Sequence, residues 1–497
     1  MRPIKAVIFD MDGVLIDSEP VYLHHQYAHL KPSYPWITVE SMYPLVGISG
    51  QEYMPFMAKL CRRTDDAAFR QEMDAMNAGC QVYYPDILRK EVRPLLHELK
   101  QMGLQVALAS SSSRECIEQV LTQCKIRELF DCIVSGHEFT HSKPDPEIYR
   151  FTMDKLRRKP EECLIVEDST YGVQAGTAAG GVVAALRDER FPFDQRAAQL
   201  HIDSLAELPA LAACGGKRIR AAFFDVDGTL ITVGGHRMPP GVAPALQALQ
   251  RNGVQVFLCT GRNLRMTKPL LAYGFDGFVC SAGGYVGCDG KILVDLPMEP
   301  AQVEGLREVL GRAGAECTLE ARDDTYGGIR MIERFAHLFP RKPGQLNSEA
   351  ERWRKTMEYG MTIRPIEEYH GEPVYKVVFI APNEACLAEA KQLYEDQFIF
   401  CESRLGDTSS AIVNGELINR KFNKGTGIKA ICDDLGCSLA DTIGFGDSDN
   451  DLQMTDVVGI SVCMANGSDN LKKLCDRICP AVTEDGVARE LKTLGLI

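Results

Sequence analysis

The sequence predicts an α/β protein built from two doubly wound parallel sheets, each interrupted by a different insertion. Three observations carry this reading. Short apolar runs of strand length alternate with segments whose apolar residues recur every three or four positions. An Asp-x-Asp-Gly closes such a run twice, in "AVIFDMDGVL" (Asp10, Asp12) and "AAFFDVDGTL" (Asp225, Asp227). The 497 residues also exceed what one core can organise, so more than one domain is expected.

In the first half the runs are "AVIF", "LQVALAS", "DCIVSG" and "CLIVED". They are continuously apolar rather than alternating, as strands covered by helices on both faces should be. The segment "RECIEQVLTQCKIRELF" between them has helical periodicity. Residues 18–86 contain helical patterns, including "EPVYLHHQYAHLK" and "DAAFRQEMDAMNAGC", and no strong strand. "SLAELPALAACGGKRIR" has a Gly-Gly and no room for another strand–helix unit, which places a boundary near Gly216 between domains 1–214 and 217–497. The grammar then restarts with "AAFFD", "VQVFLCTGR", "DGFVCS", "TIGFGD" and "VGISVCM". Residues 282–415 mix strands ("GEPVYKVVFIAP", "SAIVNGELI") with a helix ("AQVEGLREVLGRAG") and are expected to form a separate α/β unit.

Composition narrows the function. Lys and Arg number 55 against 68 Asp and Glu, a net charge of −13, and no basic cluster offsets it. Nucleic acid and anionic membrane are therefore excluded as expected partners. A phosphorylated substrate would need local positive charge or a metal. The N-terminal "MRPIKAVIFDMDG" lacks the apolar stretch of a signal peptide, and nothing approaches a membrane span. The 18 cysteines are scattered through apolar runs without zinc-site spacing, so reduced thiols in a cytoplasmic protein are expected.

In open parallel sheets the ligand crevice lies beyond the carboxyl ends of the strands. Each apolar run of the first half is followed there by a polar candidate: Asp10 and Asp12, Ser110, Lys143 in "HSKPDPEIY", then Glu167 and Asp168. The second half repeats the set with Asp225 and Asp227, Thr260, Lys424 in "FNKGTGIKA", and Asp447 with Asp451 in "GFGDSDNDLQM". Parallel neighbouring strands would bring each set into one crevice.

These four motifs, in this order, resemble the haloacid dehalogenase (HAD) superfamily of aspartate-nucleophile phosphohydrolases in both halves. Residues 1–214 resemble its β-phosphoglucomutase-like branch, and residues 217–497 its Cof-type branch. The resemblance implies two Rossmann-like cores, the first with a helical cap at about 18–86, the second with an α/β cap at about 282–415. It implies that Asp10 and Asp225 are nucleophiles and that Asp12 and Asp227 protonate the leaving oxygen, then deprotonate water. Ser110 and Thr260 would offer a hydroxyl to a phosphoryl oxygen, and Lys143 and Lys424 a positive charge. One Mg²⁺ per domain is implied, held by Asp10, the Asp12 carbonyl and Asp168 with Glu167, and by Asp225, the Asp227 carbonyl and Asp447 with Asp451. Ser111, Arg114, Gly261, Arg262 and Asn450 are candidates for substrate contact. Against this, Arg114 could only cap the loop, Arg262 brace its loop and Asn450 stabilise the loop after "GFGDS". Gly172, Gly176 and Gly180 read as helix–sheet packing, and His24 and His25 as cap-surface residues.

Within the superfamily, Asp12 and Asp227 argue against dehalogenation, which lacks that second acid. A mutase of the β-phosphoglucomutase type carries a histidine after the first motif and an arginine in the cap. Tyr22 and Gly50 occupy those positions here, so hydrolysis of a small phosphomonoester, such as a sugar phosphate, is expected. The alternatives are mutase activity in the first domain, or one domain kept as a non-catalytic scaffold or sensor. The cap of the second domain opens with "SAGGYV" in place of the relatives' usual Asn-Gly. An oligomer is compatible with all of this.

Overall fold

The computed structural model describes residues 3–47, 50–233, 235, 237–327, 363–404 and 412–497. Contacts divide the chain into two units, Met1–Arg218 and Ile219–Ile497.

The first unit is organised by six strands: β1 (Ala6–Phe9), β2 (Gln105–Ser110), β3 (Cys132–Ser135), β4 (Cys163–Glu167), β5 (Val182–Leu186) and β6 (Leu200–Ile202). Their order is 3-2-1-4-5-6, and every pairing is parallel. The order reverses at β1, which makes it the switch point where a doubly wound sheet opens its crevice. Every residue of β1 and β4 is buried, because helices cover both faces. The insertion after β1 is helical, with Glu19–Leu30, Val39–Met42, Gly50–Cys61 and Ala67–Ala78. It closes around its own apolar cluster, which includes Leu30, Ile37, Met57, Phe69 and Met73.

The second unit opens with β7 (Ala221–Phe224), β8 (Gln255–Cys259), β9 (Gly277–Cys280), β10 (Tyr285–Cys288) and β11 (Lys291–Asp295). Next comes a separate sheet of β12 (Glu316–Ala321), β13 (Thr325–Gly327), β14 (Ile363–Pro365), β15 (Val374–Ala381), β16 (Phe398–Arg404) and β17 (Val413–Asn419). The chain then returns through β18 (Thr442–Gly446), β19 (Ile460–Met464) and β20 (Arg477–Cys479), giving a core order of 11-10-9-8-7-18-19-20.

The sequence-based bounds of this second insertion need correction. A unit starting at 282 would include β10 and β11, but β10 pairs antiparallel onto β9 and β11 antiparallel onto β10, so both belong to the core sheet. A tight hairpin adds two strands to the exposed edge more readily than it founds a new layer. The separate unit begins with helix Pro300–Arg312 and runs through Asn419, past the expected 415. No helix among the described residues is long and apolar enough to cross a membrane.

Candidate active site

β1 lies between β2 and β4, so the three strand ends deliver Asp10, Ser110 and Glu167 side by side. The Asp10 amide donates to the Val166 carbonyl at 3.0 Å, which continues the ladder one residue beyond the strand. β7 lies between β8 and β18 in the same way, and the Asp225 amide donates to the Phe445 carbonyl at 2.9 Å.

A buried lysine is the centre of each constellation. Lys143 Nζ donates to Asp10 Oδ1 at 2.6 Å, to Glu167 Oε1 at 2.7 Å and to the Ala109 carbonyl at 3.1 Å. It also lies 4.9 Å from the centroid of the Tyr149 ring, whose hydroxyl donates to Glu167. Lys424 Nζ donates to Asp225 Oδ1 and to Asp451 Oδ1, both at 2.6 Å. Burial alone would lower the pKa of either ammonium, but the paired carboxylates hold both well above the usual lysine range.

The carboxyls experience the opposite strain. Burial pushes Asp10 up to about 7 despite Lys143, with Glu167 and Asp12 adding repulsion. Asp225 is pushed up to about 7 by burial, against the pull of Lys424. Asp168 is raised well above the carboxylate range by burial and by Glu167 and Asp10. Burial, Asp225 and Asp451 push Asp447 up to about 9. Ligand oxygens of Asp10, Glu167 and Asp168 lie within 4.8 Å of one another, as do those of Asp225, Asp447 and Asp451. Asp447 Oδ1 is buried and has no hydrogen-bond partner among the described residues. Oxygen-only ligands, crowded like charge and an orphaned buried oxygen fit a hard divalent cation.

Glu167 and Asp451 sit differently from the other acids. One oxygen of each is on the lysine, and the other accepts backbone amides: Asp168 at 3.2 Å for Glu167, Asp447 at 2.9 Å and Ser448 at 3.1 Å for Asp451. Both therefore hold the lysine and fix the peptide that carries the next acid. The glycine of Asp-x-Asp-Gly has an equally specific reason. A Cβ on Gly13 would lie 1.9 Å from Asp168 Oδ2, and one on Gly228 2.1 Å from Asp447 Oδ2. Gly172, expected to serve packing, makes room for Glu167, whose carboxylate a Cβ would meet at 2.0 Å.

Ser110 and Thr260 are buried, and each hydroxyl accepts the amide two residues on, from Ser112 at 3.1 Å and Arg262 at 3.2 Å. That leaves the hydroxyl hydrogen available to an incoming oxygen. The second acids are held by different means. Asp12 accepts from Ser18 Oγ at 2.7 Å and Ser112 Oγ at 2.9 Å. Asp227 is gripped by both arms of Arg262, at 2.8 and 2.7 Å. Arg262 thus braces Asp227, a contact that neither of its two expected roles, reaching a substrate phosphate or bracing its loop, had named.

The remaining candidates make other contacts. Arg114 donates to the Ile133 carbonyl at 3.0 Å and pairs with Glu138 at 3.7 Å, both at the end of β3. Ser111 and Asn450 are exposed, and Gly261 faces open space. His25 bonds the Met76 carbonyl at 2.8 Å inside the helical insertion. Gly50 begins a helix directly after residues 48 and 49, which fall outside the described set.

Sequence reasoning missed several neighbours. Tyr149, Ser112 and Ser18 carry no motif of their own, although Ser18 and Ser112 stand beside residues already singled out. Glu19 is another: burial pushes it up to about 8, with repulsion from Asp12 and Asp10 adding to the rise. Burial and Asp12 raise the Tyr22 phenol far above its ordinary value, so it stays protonated where a mutase would carry a histidine.

Comparison with known proteins follows the same division. Family models described as haloacid dehalogenase-like hydrolase match residues 4–180 and 222–491. Over 194 residues the chain is 32% identical to a phosphorylated carbohydrates phosphatase of Thermotoga maritima, covering 37% of this chain and 88% of that protein. Over 233 residues it is 32% identical to hexitol phosphatase B of Escherichia coli, covering 42% and 96%. A solved structure described as the HAD subclass IIB sugar phosphatase BT4131 aligns with 56% of this chain and all of its own, at 21% identity and a TM-score of 0.44.

Proposed function

The chain belongs to the haloacid dehalogenase-like hydrolases, with two of their domains in tandem, and from this we propose that it hydrolyses small phosphomonoesters at two separate sites. It is a phosphatase of that superfamily; the two sites, their residues and their substrates are our reading. The observation that supports it best is the repeated constellation, in which a strand-end aspartate is held at 2.6 Å by a buried lysine in both units.

Asp10 and Asp225 attack phosphorus, forming an aspartyl-phosphate as the ester oxygen leaves. Asp12 and Asp227 give that oxygen its proton, then take one from the water that cleaves the acyl phosphate. Ser110 and Thr260 donate to a phosphoryl oxygen, and Lys143 and Lys424 hold the nucleophile's second oxygen while balancing the phosphoryl charge. Asp10 and Asp168, with the Asp12 carbonyl, would hold Mg²⁺ in the first site; Asp225 and Asp447, with the Asp227 carbonyl, would hold it in the second. The ion supplies electrostatic neutralisation that lets a carboxylate approach a dianion. Neither unit has lost a member of the set, which speaks against a scaffold or sensor role.

Sugar phosphates are the proposed substrate class, on the strength of the carbohydrate and hexitol phosphatases that the chain resembles. The test is phosphate release by the full chain across sugar and polyol phosphates. Exhaustive chelation should abolish turnover and Mg²⁺ should restore it, with Ca²⁺ a poor substitute because its coordination is larger and looser. Undiminished activity after chelation would overturn the mechanism.

Hydrolysis is also separable from mutase activity. With β-glucose 1-phosphate and a trace of the 1,6-bisphosphate, an Asp225→Asn chain should release free phosphate and form little glucose 6-phosphate. Accumulation of glucose 6-phosphate without phosphate release would establish the mutase reading instead.

A further inference from the structure

The segment after β5, "RDERFPFDQR", lies beyond the residues the first family model matches, and no sequence motif marks it. It makes two sets of contacts. Towards the helical insertion, Phe191 is buried in that unit's apolar cluster, edge-on to Tyr43 with ring centroids 6.0 Å apart. Phe193 packs against the same cluster, 5.7 Å from Phe191. Arg190 grips Asp17, at the start of the insertion, through two bonds of 2.6 and 3.0 Å, and is itself held by Asp188.

Towards the reaction centre, the amide of Gln195 donates both to the Asp168 carbonyl and to the Leu186 carbonyl, the latter at 2.8 Å. The Asp194 amide donates to Thr170 Oγ1 at 2.7 Å. The Asp168 peptide is therefore held on both sides, its N–H by Glu167 and its C=O by Gln195. The second unit fixes Asp447 with the same logic, its N–H on Asp451 and its C=O on the Ser468 amide at 2.8 Å. There the holder is backbone within the core. In the first unit it is a side chain on a segment whose other end is buried in the cap.

We propose that Arg190–Gln195 is a strap coupling the seating of the helical cap to the placement of Asp168, with Gln195 as the positioning residue. The proposal rests on the reading of Asp168 as a metal ligand. Partners that orient a ligand govern metal affinity as well as rate. Cap displacement would pull Phe191 and Phe193 and slacken the Gln195 bond, so the ion is held best when the cap is seated.

The test uses the full chain carrying Asp225→Asn and Asp447→Asn, so that only the first site binds metal, with free Mn²⁺ read by electron paramagnetic resonance. Gln195→Met, which keeps volume and loses the donor, should weaken Mn²⁺ binding roughly tenfold. It should lower kcat with little change in KM. Phe191→Ala should also weaken Mn²⁺ binding, whereas Met73→Ala, in the same cap cluster but on the helix Ala67–Ala78 rather than on the strap, should lower thermal stability and leave binding unchanged. Unchanged Mn²⁺ affinity in Gln195→Met overturns the strap and leaves the site intact. A parent chain that binds no Mn²⁺ overturns the metal reading of Asp168 and the strap with it.

Discussion

Replacing Asp10 by Asn should abolish one part of the phosphomonoester profile and spare the rest, and Asp225→Asn should do the converse. An amide keeps the shape of the carboxylate, so the Lys143 bond and the close approach of Asp168 survive in outline. It is a far poorer nucleophile, and the acyl-phosphate route is lost. We expect a fall on the order of 10⁴-fold or more at the substituted site, the scale seen when an enzyme loses its nucleophile. Independence follows from the two insertions: one is helical and the other is built on a six-stranded sheet, so they cannot enclose the same pocket. Measuring both variants against one substrate panel, with circular dichroism as the folding control, decides the point. If one substitution alone removes all turnover, the other unit is a scaffold.

The centre of each site was legible because its groups stand where a strand must end. A continuous apolar run identifies the strand, and parallel pairing forces the next polar residue into the crevice, which is how Asp10, Ser110, Thr260 and Asp225 could be read. Glu167 and Asp451 were legible as acids but not in their function. One follows its strand directly and the other sits in a turn four residues past Asp447, yet both end on the lysine. Only three-dimensional geometry shows that equivalence. Arg262 offered two roles that its sequence position could not separate, and neither pointed to the bidentate bond it makes to Asp227. Gln195 had no signal at all. A side chain bonding a backbone carbonyl twenty-seven residues away demands no particular neighbour, so no pattern records it. The β10–β11 hairpin was misplaced for a related reason. Antiparallel edge strands carry the same residue types whether they join the core sheet or the inserted one.

Removing the lysine should damage stability and turnover together, and a charge-balanced double variant should pull the two effects apart. Lys143→Met leaves Asp10 and the fully buried Glu167 facing each other without their cation. Stripping one partner from a buried ion pair costs about 3–5 kcal/mol, because the remaining charge is desolvated and unpaired. Adding Glu167→Gln removes the more deeply buried of the two orphaned charges; its single oxygen can keep the Asp168 amide, while the Tyr149 hydroxyl can turn to accept from the new NH2 group. The double variant should therefore recover part of the lost stability, with a coupling energy of about 1–3 kcal/mol in the double-mutant cycle. First-site turnover should not recover, since nothing then orients Asp10 or balances the phosphoryl charge. Urea unfolding would be combined with phosphate release in the Asp225→Asn background, where only the first site turns over. Recovery of turnover alongside stability would show that Lys143 serves the fold alone. Failure to recover stability would show that the Lys143–Glu167 pair is not the source of the loss.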